Sequence, residues 1–307
     1  MTNEEKTINQ IIKYQRDFDE YTLKAIATRL NSKKGLGLVD LFDVAYFAMI
    51  FGVITEIDNK MVTTRKRQVS KLKDTLTSSA IAAYMSMKSL YSDGDMEFIP
   101  YKKNEEVVNY VNSEVQNKCK EFDNKLKKVG YSMPSETSNK KIFRTPSETY
   151  QHVADMAKNQ ELHNPYGYQL WSRKIMRGLL RDGLKIYNYN QDTHRYKHQN
   201  SYSYIRNFIK NTVYQISQGV FNVVANQVGI DGVELSAHAD CALDHLPVQG
   251  HQFTLANFKK MQSNDYFEDI QGRPYQYLDR AIGTWNCRHF VYPIIIGKTQ
   301  PRYTEEH

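Results

Sequence analysis

The chain has 307 residues, with 41 Lys and Arg against 34 Asp and Glu, a net charge of +7 and an isoelectric point near 9.0. At 40% hydrophobic and 24% charged residues it is not a wholly disordered chain, and 8 prolines and 15 glycines exclude collagen-like and proline-rich classes. The length suffices to bury a core without staples and suggests about two domains.

Residues 4–31 predict an amphipathic helix, with Ile8, Ile11, Ile12, Phe18, Ile26 and Leu30 in a stripe near period 3.6. A second helix is expected from Val39-Asp40 to about Lys60. A third is expected from Thr63, basic at first and small and apolar at Ala80–Met87. The segment Val44–Ile54 is apolar for eleven residues. A bilayer span needs about 20, so a buried or interface helix is expected there. Ser92–Asp95 reads as a turn, and residues 104–129 as another amphipathic helix. The opening decapeptide MTNEEKTINQ has no apolar core, so no secretory signal is expected.

Residues 131–150 are polar with two prolines and read as a linker or exposed loop, with a helix start at Thr145-Pro146. Helices are predicted near 147–160 and 167–182, a short strand at 184–189, and a long helix over 203–228 that stops at Gly229. Gly232–Ala237 and Phe290–Ile296 read as strands, with Pro293 marking an edge or bulge. The expected class is α+β: a helical region over 1–130, a linker, and a mixed module with a small sheet over 151–307.

Charge is unevenly spread. Residues 151–200 carry 8 Lys and Arg against 4 Asp and Glu, residues 201–250 only 2 against 4. The basic stretch contains Arg173, Lys174, Arg177, Arg181, Lys185, Arg195 and Lys197, interleaved with Tyr187, Tyr189, Tyr196, Tyr202 and Tyr204. Cations neutralise phosphates and aromatics stack on bases, so these are candidate nucleic-acid contacts. An ordinary solvated face is the competing reading.

The stretch richest in reactive groups runs from His238 through Cys241, Asp244 and His245 to His251, and continues at Asn286, Cys287, Arg288 and His289. Thiolate with imidazole suits zinc, which makes His238, His245, Cys287 and His289 candidate ligands. No Cys-x2-Cys pair accompanies them. The spacing therefore favours a hydrogen-bond network that closes the fold, and no stoichiometric zinc or other cofactor is expected. The two segments are expected side by side in one module, with Cys287 within about 10 Å of His238 and His245. Asp244-His245 with a later Asn and His also loosely imitates a metal-dependent nuclease. Phosphate-binding glycine loops and a G-x-S-x-G elbow are absent. Three cysteines, an odd number, read as reduced thiols of an intracellular protein.

Residues 168–304 carry an ordered set of motifs. A helix bears Arg206 and Thr212. The strand Val233-Glu234-Leu235-Ser236-Ala237-His238 follows, then His245 before Gln249-Gly250, and finally Asn286-Cys287-Arg288-His289 running on to Pro293 and Gly297. In order and spacing this resembles the tailed-phage minor capsid proteins of the second type, related to phage Mu protein F. Ala242 stands where that pattern usually has Arg, and Cys241 where it has a small residue. The resemblance implies a non-enzymatic virion protein inside the head near the portal, active in head assembly and DNA packaging. It implies the portal protein, the major capsid or other head proteins and packaged double-stranded DNA as neighbours, and no membrane. The competing class is a metal-dependent nuclease or other enzyme in the C-terminal module.

Overall fold

The computed structural model describes residues 3–31, 42–134, 141–163, 168–190, 195–238, 241–263, 265–276, 278–279, 281–282, 287 and 289–303. Its elements run α1 (Asn3–Asn31), α2 (Phe42–Met85), α3 (Lys88–Asp93), α4 (Glu105–Leu126), β1 (Val129–Pro134), β2 (Lys141–Arg144), α5 (Pro146–His163) and α6 (Tyr168–Asp182). They continue with β3 (Lys185–Asn190), β4 (Arg195–Asn200), α7 (Ser201–Val228), β5 (Gly232–Leu235), β6 (Gln252–Thr254), α8 (Leu255–Gln262), β7 (Phe267–Glu268), β8 (Pro274–Tyr275) and β9 (Val291–Ile294). The class is α+β, as expected.

Two compact units divide the chain. One takes residues 1–72 and 119–208, the other 73–118 and 209–307. The boundary falls inside α2, α4 and α7.

The first unit sets helices on a four-stranded antiparallel sheet of order β2-β1-β3-β4. The stripe read from α1 is its buried face: Ile8, Ile11, Phe18 and Ile26 are all below 2% exposed. α5 begins with a reciprocal cap. The Glu148 N–H donates to Thr145 Oγ1 at 3.3 Å, and the Thr145 N–H donates to Glu148 Oε2 at 2.8 Å. Two strands, β1 and β2, occupy much of the segment read as a linker or loop. Tyr131 and Met133 of β1 are buried, so alternate residues of a polar sequence still supply a core face.

The two helices expected on either side of residue 60 form one, α2. No glycine or proline interrupts 53–85, and the Thr63 hydroxyl is absorbed by the Asn59 carbonyl at 2.9 Å. In the apolar segment Ile50 is buried, whereas Phe51 is 71% exposed. The side chains of residues 44–49 lie outside the described ones. Among the described residues no helix is long and apolar enough to cross a membrane.

The second unit contains a three-stranded antiparallel sheet, β6-β5-β9, and a two-stranded pair, β7-β8. Val233, Leu235, Val248, Phe253, Met261 and Phe267 form its core. Pro293 sits on the edge strand β9, where a missing N–H is tolerated. α7 ends at Gly229, whose φ of +75° lets its N–H return to the Ala225 carbonyl at 2.9 Å.

Candidate functional site

β5 and β9 bring the two reactive segments together. Past the last strand pair, the Ser236 N–H donates to the Phe290 carbonyl at 2.9 Å. The Phe290 N–H returns to Ser236 Oγ at 2.8 Å. This clasp sets His289 beside His238, with Cys287 two residues before it in the chain. On the other side of β5, Gly250 takes φ +76° and its N–H reaches the Leu235 carbonyl at 2.9 Å. Gln249 Oε1 accepts from the His238 N–H at 3.1 Å. The preceding 3-10 turn, Leu243–His245, then points back to the same place, with the Val248 and Gln249 N–H groups on the His245 carbonyl at 3.2 Å.

The outcome is a buried thiol–imidazole cluster. Cys287 Sγ lies 3.6 Å from His245 Nδ1 and 3.3 Å from His289 Nδ1. One donor atom from each of the three residues lies within 4.8 Å of the others. The His238 and His289 rings are 4.3 Å apart, and those of His245 and His289 5.2 Å. Both His245 and His289 are 1% exposed or less, while Cys287 is half-buried. Asp244 Oδ2 stands 3.5 Å from His245 Nε2. Burial, with His238 and His245 alongside, pushes the His289 imidazole down to about 4, so it is neutral at neutral pH. Among the described residues, His238 Nε2 and His289 Nε2 are buried without a hydrogen-bond partner.

Other residues singled out in the sequence have local structural tasks. Glu234 is fully buried. Its carboxylate accepts from the Arg302 N–H at 2.7 Å and from Gln252 Nε2 at 3.3 Å, while burial raises its pKa. Thr212 is buried and Arg206 exposed on α7. Asn286 and Arg288 lie outside the described residues. His251, which the sequence groups with the cluster, is diverted to another network. Its Nδ1 meets the Tyr275 hydroxyl at 2.7 Å and Asp269 Oδ2 at 3.2 Å, and Asp269 also binds Arg273 at 2.5 Å. Hydrogen-bond chemistry at residues 269, 273 and 275 carries no sequence signal, because their pairing depends on the β7-β8 turn.

In the first unit, Arg173, Lys174, Arg177 and Arg181 are exposed on α6. Their spacing of one helical turn aligns three arginines along one stripe. With Leu170, Ile175 and Met133 they line a groove of about 770 Å³. Lys185 begins β3 and is half-buried. Arg195 and Lys197 lie on β4, and their side chains are outside the described ones.

No curated protein and no solved structure gives a significant match to the chain. The model of a family described as phage minor capsid protein 2 matches residues 4–307, nearly the whole chain. The chain therefore belongs to the phage minor capsid protein 2 family, and it is a structural protein of the phage head.

Proposed function

We propose that this protein sits inside the phage head near the portal, touches the portal protein and packaged double-stranded DNA, and serves head assembly and DNA packaging without catalysis. Membership of the family supports the association with other head proteins. One observation favours the DNA contact: the exposed stripe Arg173, Arg177, Arg181, with Lys174 alongside. Cations one turn apart, roughly 5–6 Å, can each neutralise a phosphate and release counterions. Such binding is blind to sequence, as packaged genomic DNA demands. The burial of His245 and His289 supports a structural role over a nuclease, since attack on a phosphodiester needs a centre that the substrate can reach.

A cryo-EM map of the particle tests the location. Density for the chain on the inner side of the shell beside the portal is expected, and density confined to the outer surface would overturn it. Fluorescence anisotropy with duplex DNA tests the contact. The full chain is expected to bind with an affinity that falls steeply with salt. Arg173→Glu/Arg177→Glu/Arg181→Glu is expected to weaken binding at least about tenfold at low salt. Unchanged binding by the triple variant would remove α6 from the proposal.

A further inference from the structure

The structure assigns a metal site to the second unit: we propose that His245, Cys287 and His289 bind one structural zinc ion, and that His238, outside this three-residue set but with its ring 4.3 Å from that of His289, turns in as the fourth donor. Nothing in this depends on where the protein sits in the head.

The distances carry it first. With Zn–S about 2.3 Å and Zn–N about 2.0 Å, tetrahedral coordination places sulfur and nitrogen roughly 3.5 Å apart. The two sulfur–nitrogen separations, 3.6 and 3.3 Å, straddle that value. The linear spacing, with no Cys-x2-Cys pair, argued for a network of hydrogen bonds instead. The fold supplies what the spacing lacks, since the β5–β9 clasp and the 3-10 turn bring His245 together with Cys287 and His289, donors some forty residues apart in the chain.

Hydrogen bonding alone leaves the cluster incomplete. A thiol has one hydrogen, and Cys287 faces two ring nitrogens. Whichever tautomers are chosen, His238 Nε2 and His289 Nε2 stay buried without a partner among the described residues. Seven buried side-chain polar atoms among the described residues have no partner in the hydrogen-bond network, and these two, on neighbouring imidazoles beside a thiol, are the pair that a bound cation would explain. A cation accepts lone pairs from the thiolate, from His245 Nδ1, from His238 Nε2 and from either nitrogen of His289, whose ring orientation is interchangeable.

The surroundings fit a divalent cation. Asp244 faces the far nitrogen of His245, the carboxylate–histidine arrangement that fixes a ligating imidazole. One thiolate and one nearby carboxylate together balance two positive charges, which a buried site requires. Sulfur with nitrogen selects zinc over magnesium or calcium. The role is structural because His245 and His289 are closed to solvent. Zinc would tie β9 and the turn to β5 in a sheet whose strands are three or four residues long.

The test uses the untagged full chain under reducing conditions. Elemental analysis of the purified protein should find about one zinc per chain, as a closed tetrahedral site holds. After chelation, titration with Co²⁺ should saturate at one equivalent and give intense tetrahedral bands with a thiolate charge-transfer absorption. The Cys119→Ser/Cys241→Ser variant, which leaves Cys287 alone, should keep that absorption. Cys287→Ser should abolish it. Asp244→Asn should weaken metal binding by about tenfold to a hundredfold. Absence of both zinc and saturable Co²⁺ binding in the wild-type chain would overturn the site. So would loss of the absorption in the folded Cys119→Ser/Cys241→Ser variant, whether or not Cys287→Ser folds.

Discussion

Each unit buries a polar centre, and the two differ in whether the protein completes them. In the first unit, Asp19 on α1 is held between Tyr131 on β1 and Tyr202 at the start of α7. Tyr131 donates to Oδ1 and Tyr202 to Oδ2, the latter at 2.9 Å. Each carboxylate oxygen thus has a dedicated hydroxyl. Burial raises the pKa of Asp19, and the two tyrosine hydrogen bonds oppose that rise. In the second unit, the His/Cys cluster leaves two ring nitrogens, His238 Nε2 and His289 Nε2, without a hydrogen-bond partner among the described residues. A completed centre is explained by folding alone. An incomplete one points to something the chain binds.

The largest expected effect comes from breaking the completed centre. Asp19→Ala leaves two tyrosine hydroxyls without their acceptor, one of them on the buried Tyr131. The expected loss is roughly 3–4 kcal/mol, the cost of two charge-assisted hydrogen bonds in a buried site. Asp19→Asn retains one oxygen acceptor and should lose less. Urea unfolding followed by circular dichroism measures both. Equal losses would mean that the hydroxyls do not depend on this acceptor.

The incomplete centre should respond to metal instead. Zinc added to the chelated protein at about a hundred times its dissociation constant should stabilise it by roughly 2.7 kcal/mol, seen as a higher thermal midpoint. The increment should be nearly the same in the Asp19→Ala background, since the two centres belong to different units and share no residue. A midpoint that zinc leaves unmoved would erase the contrast between the two centres.

A third buried carboxylate, Asp269, sharpens the comparison through pH. Burial opposes its charge, but hydrogen bonds from the Arg273 backbone and guanidinium and from His251 outweigh burial and hold its pKa below 3.8. Its stabilisation is present above the unfolded value and is lost as pH falls through the folded one. Asp19, with a raised pKa, has the opposite sign: its contribution is full below 3.8 and is lost as pH rises through the folded value. Urea midpoints measured between about pH 3 and 6 should therefore move in opposite senses in the two Asn variants. Relative to wild type, Asp269→Asn should flatten the acid limb, and Asp19→Asn should steepen the rise just above it. Parallel shifts would contradict the assigned environments.

The same contrast explains what could be read from the chain. The α1 stripe, the Thr145 cap, α7 with its Gly229 stop and the strands β5 and β9 are legible because their signals are local. β4, Arg195–Asn200, is a run of polar residues with no apolar alternation, and only pairing with β3 makes it a strand. α8 is eight residues long and too short to establish a period, although Thr254 caps it at 3.1 Å. At the site, residue type alone marks His238, His245, Cys287 and His289. Their convergence across 42 residues, between Cys287 and His245, is tertiary. The diversion of His251 to Asp269 is equally so. A spacing argument that expects ligand pairs on one turn does not see donors gathered by a strand clasp.

The smallest effects come from two helix glycines, one in each unit, and they should have opposite signs. Gly178 lies within α6, and a Cβ there would meet nothing within 4 Å. Gly178→Ala removes the backbone freedom that glycine loses on folding and should stabilise the first unit by about 0.5–1 kcal/mol. Gly219 lies within α7, and a Cβ there would fall 1.6 Å from the Tyr110 hydroxyl oxygen. The same change of propensity favours alanine at Gly219. It is opposed by displacement of a half-buried tyrosine whose pKa burial has already pushed up to about 12. Overpacking of this kind costs roughly 1–3 kcal/mol, so the net change should be a modest destabilisation. Tyr110→Phe keeps the ring carbons that would lie 2.2 and 2.9 Å from that Cβ, so Tyr110→Ala is the relieving change; in that background Gly219→Ala should become markedly less costly while Gly178→Ala keeps its gain. If Gly219→Ala stabilises the wild-type chain as Gly178→Ala does, Tyr110 does not pack against α7 as closely as described.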